Sequence, residues 1–421
     1  MSFSFNAALS GLNASSNALN VVGNNIANAN TIGFKSSSIT FADVFASRFG
    51  ARLNGAGNSM QIGNGVQTAA IHTNFLQGNL NESGSPLHAA IQGNGYFVVN
   101  NADGTRGYTR AGDFTVNNTG YLVASNGGQV MGYQAQNGAI PAGAQLSSLQ
   151  FPIGQTLAPQ GTTEATFRLN LDAQSATGAV HHVPMTVRDS LGAERTLDMT
   201  FTRQADGSFQ MTATLDGAAA QLNANGSGPS GSPVSFTFDS NGVLTSPTSL
   251  EVVPDQTQLG TAVLPSITIN LNDVNADGTP GAPKITSYAA KSEHSAVIAD
   301  GYGSGTLEGA AVDQNGNIFG VFSNGQTRIL GQYALATFNA EEGLGRQGGN
   351  MFGETIGSGQ ATIGSPGAGG RGLIAGGYVE ASNVNITNEF VDLIQAQRGF
   401  QANSRVITTL NQTFQDLLQI V

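Results

Sequence analysis

Apolar side chains open and close this chain on steps that alternate between four and three. Met1, Phe5, Ala8, Leu12, Leu19, Val22 and Ile26 keep that spacing near the N-terminus, with Ser15 filling one slot. Ile386, Phe390, Leu393, Phe400, Ile407, Phe414, Leu418 and Val421 keep it near the C-terminus, with Gln397, Ser404 and Asn411 as polar gaps. A 3.5-residue repeat is the seam of a coiled coil, so the pattern predicts an amphipathic helix at each end that packs against another helix. Thr387 is the expected N-cap of the second helix, and Glu389 and Asp392 in its early turns suit the helix dipole. From there to the C-terminus such a helix would run about 50 Å.

Between the helices the period falls to two. Tyr96–Val99, Phe114–Val116, Tyr121–Val123, Ile318–Phe322 and Tyr333–Phe338 read as short strands, punctuated by Asp103-Gly104, Asn126-Gly127, Asn315-Gly316 and Asn324-Gly325. An internal echo links two of these regions. Val116-x3-Gly120, Ser125-Asn126-Gly127 and Met131-Gly132 are repeated as Val312-x3-Gly316, Ser323-Asn324-Gly325 and Leu330-Gly331. Within the block they flank, Val183, Met185 and Val187 alternate on one strand, and Leu197, Met199 and Phe201 on the next. Phe209, Met211 and Leu215 follow the turn at Asp206-Gly207, and Gly/Pro/Ser-rich loops cover 223–233 and 275–283. The expected fold class is α+β and mainly β: discontinuous β domains nested like brackets between terminal helices paired as a coiled-coil-like axial domain. The boundaries read as 1–30 with 385–421 for the helices, 31–71 with 366–384 for a connector, 72–144 with 291–365 for an outer β domain, and 145–290 for an inserted one.

Composition narrows the function. The 421 residues include 57 Gly and only 10% charged side chains, and the formal net charge is −11. Lys occurs three times, as Lys35, Lys284 and Lys291, so phosphate would be repelled and nucleic acid is excluded as a partner. Cys is absent, which excludes disulfides, thiolate metal sites and a thiol nucleophile. No window approaches the ~18 apolar residues of a membrane span, so membrane insertion is not expected. The start Met-Ser-Phe-Ser-Phe lacks the basic and apolar regions of a secretory signal, and on pattern alone the expectation is a soluble cytoplasmic protein.

The N-terminal helix is unusual in having no charge before Lys35 and many weak helix formers, among them Gly11, Gly23 and several Asn. A helix neutral all round asks to be buried all round, and other copies of the chain are the simplest partners. A head-to-tail contact that does not close then gives a helical filament. Phe5, Leu12, Leu19, Val22, Ile26, Phe390, Leu393, Phe400, Ile407 and Phe414 are the residues expected to carry that homopolymer interface, each large side chain contributing about 1.5–3 kcal/mol on burial.

Residues 8–36, ALSGLNASSNALNVVGNNIANANTIGFKS, and 381–410, ASNVNITNEFVDLIQAQRGFQANSRVITTL, resemble the paired terminal signatures of the bacterial flagellar rod and hook family. Gly93-Asn94-Gly95-Tyr96-Phe97-Val98-Val99 and YTRAGDFTVNNTGYLV (108–123) resemble its outer β domain. Phe41-Ala42-Asp43, VRDSLGAERTLDMTF (187–201) and Phe238-Asp239-Ser240-Asn241-Gly242 are similar to its hook-type segments. The resemblance implies a polymer of identical subunits forming a short curved tube, a universal joint between the flagellar motor and filament. It implies rod subunits, hook–filament junction proteins, a hook cap and the flagellar export apparatus as partners. It also implies an extracellular place in the flagellum, reached unfolded without a cleaved signal peptide, and so replaces the cytoplasmic expectation. The alternatives are a distal rod subunit, against which the ~145-residue insertion argues, and a secreted β-domain binding protein, calcium-dependent or not.

Little else in the chain reads as chemistry. Asp273-x-Asn275-x-Asp277-Gly278 matches the first half of a calcium loop, but Lys284 stands where a bidentate Glu belongs, and an Asx-rich turn is favoured. His181-His182 reads as an exposed pair at a loop end, since strand neighbours point to opposite faces. Gly93-Asn94-Gly95 precedes a strand, the wrong context for a dinucleotide. Arg106 and Arg110 read as solvated positions flanking a strand, and Gly367–Gly372 as a flexible connector loop. No acid, base and nucleophile converge, so neither enzymatic activity nor a cofactor is expected.

Overall fold

The computed structural model describes residues 2–44, 47–49, 60–152, 154, 156–226, 233–274 and 280–420. The seam positions Met1 and Val421 lie outside them, as do Asn275, Asp277 and Gly278 of the calcium-like loop.

Helix α1 spans Ser2–Ala27 and helix α2 spans Ile386–Ile420. The cap of α2 is Asn385, not Thr387: the Asn385 side-chain oxygen accepts the backbone N–H groups of Thr387 and Asn388 at 3.1 and 3.2 Å. A short Asn side chain with a carbonyl oxygen suits that position at least as well as Thr. The two helices run antiparallel along each other. Asn25 meets Glu389, while a Cβ placed on Gly11 would stand 2.7 Å from Nδ2 of Asn403. By that register the last turns of α2, from Phe414 on, run past the start of α1.

The chain leaves α1 through a turn at Gly33 (φ +68°), where a Cβ would lie 2.5 Å from the backbone nitrogen of Ala111. It then enters a hairpin of strands β1 (Ser37–Asp43) and β2 (Val66–Thr73), paired antiparallel with an irregularity between Thr40 and Phe41. The hairpin packs on α1, so the neutral helix is wrapped on two sides by its own chain, by α2 and by β1–β2. Part of the cover expected from other copies is thus supplied within the molecule.

Two compact units divide the chain: residues 1–153, 309–320 and 327–421 in one, 154–308 with 321–326 in the other. In the first, Tyr96–Asn100 lies between partners, pairing with Arg106–Thr109, Gln129–Gln134 and Leu335–Thr337. Its alternate faces feed two aromatic clusters. Phe97, Phe114 and Tyr333 meet with ring centroids 4.9–5.7 Å apart, and Tyr96 contacts Phe75, Phe338 and Phe352 edge-on. The expected strand Tyr333–Phe338 is broken at Ala334: Thr327–Tyr333 pairs with Gln129–Gln134, and Leu335–Thr337 pairs with Tyr96–Asn100. One apolar run therefore serves two neighbours in turn.

The sequence echo is a repeated turn chemistry. Asn117 N–H bonds to Tyr121 O and Gly120 N–H to Asn117 O; Asp313 N–H bonds to Asn317 O and Gly316 N–H to Asp313 O. Asn126 and Asn324 each accept from the N–H two residues on. The strands leaving the two turns pair with each other, Gly132 opposite Tyr333.

The second unit is a sandwich of two six-stranded sheets. Val183, Met185, Val187, Leu197, Met199, Phe201, Phe209 and Met211 are buried on the inner face of one, as period-two alternation requires. They face Phe167, Leu169, Leu222, Val252 and Ile267 of the other.

Candidate assembly site

The helix pair is held to its β unit by polar side chains that carry little charge. Asn25, 2% exposed, brackets Ser37: its Nδ2 donates to Ser37 O at 2.7 Å and its Oδ1 accepts from Ser37 N–H at 2.9 Å. The same Nδ2 donates to Glu389 Oε1 at 2.9 Å. Asn383 does the like just before α2, accepting from Ser36 N–H and donating to the carbonyls of Asn74 and Leu76. Sequence reasoning counted the Asn residues of α1, Asn25 among them, only as weak helix formers and did not single out Asn383. Buried amide groups need partners, and a conspicuous excess of Asn in a neutral helix was the available signal.

Beneath the brackets lies a buried ionic triad. Lys35 Nζ contacts Glu380 Oε1 at 2.6 Å and donates to Leu76 O at 2.7 Å; Arg110 contacts the other Glu380 oxygen at 3.4 Å. Lys35 and Glu380 are fully buried and Arg110 is 3% exposed, so the expectation of a solvated Arg110 is overturned, whereas Arg106 is exposed. Burial pulls the Lys35 ammonium pKa down, with Glu380 opposing it. Gly33 N–H donates to Glu380 O at 2.7 Å, so the segment leaving α1 is tied to the segment that leads into α2.

The residues expected at the seam separate by side. Val22 is buried; Phe5, Leu12, Leu19 and Ile26 on α1 are half-buried, as are Leu393, Phe400 and Ile407 on α2. Phe390 and Phe414 are 50% and 43% exposed. Half-buried Ala396, Asn403 and Leu410 alternate with Leu393, Phe400 and Ile407 on the α1 side. That flank is one residue away from the Phe390–Gln397–Asn411 line. The apolar residues Ile386, Phe390, Val391 and Ile394 are left 46–50% exposed on the other flank. At the edge of the helix pair, burial above all pushes the Glu389 carboxyl pKa up, with the Asp392 charge acting the same way and the Asn25 hydrogen bond against.

The remaining candidates resolve into structural roles. Asp273 is engaged by Arg168 at 2.9 Å and lies 3.8 Å from Lys284 Nζ, so two cations hold the first position of the calcium-like loop. His182 meets Asp198 at 3.1 Å on the outer face of its strand. His181 is half-buried, not exposed: its Nε2 lies 3.4 Å from Nδ1 of His294, and burial lowers its pKa. Gly93-Asn94-Gly95 forms a bend with both glycines at positive φ. The loop 367–372 is tied down rather than open, by Gly367 N–H to Gly372 O and Gly372 N–H to Asn94 O. Among the described residues no group of three His, Cys, Asp or Glu side chains could hold a metal, and no helix is long and apolar enough to cross a membrane.

Comparison with known proteins points the same way along the whole chain. Four family models match: "Flagella basal body rod protein" at residues 5–35, "Flagellar hook protein FlgE/F/G D1 domain" at 90–161, "Flagellar basal body protein FlaE D2 domain" at 158–302 and "Flagellar basal body rod FlgEFG protein C-terminal" at 375–420. The flagellar hook protein FlgE of Borreliella burgdorferi is 34% identical, with 98% of each chain covered. That of Salmonella typhimurium is 31% identical, covering 99% of this chain and 100% of that one. Among solved structures, the Helicobacter pylori flagellar hook protein FlgE2 matches in fold with a TM-score of 0.50 at 14% identity, over 72% of this chain and all of that one.

Proposed function

This chain belongs to the flagellar hook protein family as a structural subunit of the hook, and from that premise we propose that it enters the polymer through the α1–α2 pair. The observation that carries the reading is the flank of α2 at Ile386, Phe390, Val391 and Ile394, half exposed while α1 covers only the opposite side. Apolar surface of that extent on one helix favours a protein partner, and a homopolymer supplies one at every copy.

Residues 1–30 with 385–421 form the polymerisation domain in this reading, 31–71 with 366–384 the connector, and 72–144 with 291–365 the outer domain that carries the insertion at 145–290. Low-charge, Gly-rich outer surfaces slide between neighbours with little desolvation, which lets the curved tube turn as a universal joint. Rod subunits, junction proteins, the hook cap and the export apparatus are the expected partners, with export unfolded and without a cleaved signal. The role is structural, without catalysis. The calcium-dependent alternative rested on the loop at Asp273, whose first ligand is already held by Arg168 and Lys284.

Electron microscopy of the full chain beside a chain lacking residues 2–27 tests the reading. Tubes of uniform diameter are expected from the full chain alone. Tubes from the shortened chain would overturn it.

A further inference from the structure

The two flanks of α2 differ in charge as well as in cover. On one side a groove of about 520 Å³ runs between α2 and β1; Ala18 and Val22 of α1 line it with Ile39 and Phe41 of β1, and Glu389 and Asp392 stand on its α2 edge. The two carboxylates lie close enough for the Asp392 charge to act on Glu389, and no ion pair to either is seen among the described residues. On the opposite side, at helical spacing from Ile394, come Arg398, Gln401 and Arg405, all exposed, and neither Arg carries an ion pair among the described residues.

An apolar groove edged by two acids and an apolar stripe edged by two bases are complementary surfaces on opposite flanks of one helix. They cannot meet within one molecule. They can meet between copies related head to tail, the arrangement that yields an open helical polymer. We infer that the groove between α2 and β1 receives the Ile394–Arg398–Arg405 flank of α2 from a second copy, with its arginines on Glu389 and Asp392. The copies keep one polarity, so the neighbour is displaced along the helix by about three turns. This rests on the helix-pair reading above and deepens it by naming both halves of one contact. Charge complementarity of this kind fixes register and partner choice.

The test uses full chains at one ionic strength, with helicity followed by circular dichroism. Asp392→Arg alone, and Arg405→Asp alone, should each raise the critical concentration for assembly about tenfold. A chain carrying both changes, with Glu389 still opposite Arg398, should return to near the native value. The absence of Cys permits a direct check with Gln395→Cys and Thr408→Cys in one chain, whose spacing along α2 is close to the three-turn displacement. These positions face different flanks of α2 and cannot bond within a molecule, so oxidised polymer should give a ladder of covalent multimers. Unchanged critical concentrations in the single-sided variants, no recovery in the combined chain with helicity intact, or monomer only after oxidation would each overturn the contact. The broader reading falls separately, if the chain without residues 2–27 still assembles.

Discussion

At the scale of single residues the decisive feature is a buried triad whose charges do not cancel. Lys35 and Arg110 share one carboxylate, Glu380, so removing a cation and removing the anion have unequal consequences. Glu380→Ala leaves two buried cations facing each other and orphans Gly78 N–H, which donates to Glu380 at 2.8 Å. Lys35→Met leaves a neutral Arg110–Glu380 pair and keeps the aliphatic stem, and Leu76 O still accepts from Asn383. Breaking a buried pair by deleting one partner costs about 3–5 kcal/mol, whereas an apolar replacement of similar volume is often close to neutral. Chemical denaturation should therefore show a much larger loss for Glu380→Ala than for Lys35→Met. Equal losses would mean that the two uncompensated buried cations left by Glu380→Ala carry no extra cost.

At the scale of elements, the two glycines of α1 make opposite demands. Gly23 is exposed, with nothing within 4 Å of an added Cβ, while at Gly11 the added atom meets Asn403 of α2. Gly23→Ala should stabilise the helix by about 0.5–1 kcal/mol through the lower entropy of the unfolded chain. Gly11→Leu should force the helices apart at a cost of about 1–3 kcal/mol. Thermal melts followed by circular dichroism check both, and a Gly11→Leu chain that melts like the native one would show that α1 and α2 do not depend on close approach. The period of these helices was legible in the sequence because a 3.5 repeat is a property of the chain alone. Which flank meets which partner was not. Phe390, Leu393 and Ile394 are all apolar, and hydrophobicity does not distinguish a side chain covered by α1 from one left for another copy. The sandwich strands were read more fully, since the inward set Leu197, Met199, Phe201 alternates with polar residues and only one face has a core to enter. The triad escaped the reading because Glu380 lies hundreds of residues from both Lys35 and Arg110. Its one trace was positional: Lys35 is the first charge after α1, and Glu380 stands alone between Arg371 and Glu389.

At the scale of the whole molecule, two electrostatic effects oppose each other during assembly. Every copy brings a net charge of −11, and stacking such copies concentrates negative charge along the polymer. The contact inferred between Arg398, Arg405 and the Glu389–Asp392 pair is attractive, but it involves only a few groups, partly open to solvent. Exposed ion pairs contribute about 0.2–1 kcal/mol each, whereas repulsion among the net charges of several neighbours acts at every added subunit. Both weaken with salt, since the screening length falls from about 10 Å at 0.1 M to about 3 Å at 1 M. The long-range repulsion spans greater distances than the short contact, so screening removes more of it. Raising sodium chloride across that range should therefore lower the critical concentration for assembly, read by light scattering at fixed pH. A critical concentration that rises instead would place the close ion pairs, and not the apolar faces of α1 and α2, as the main source of cohesion in the polymer.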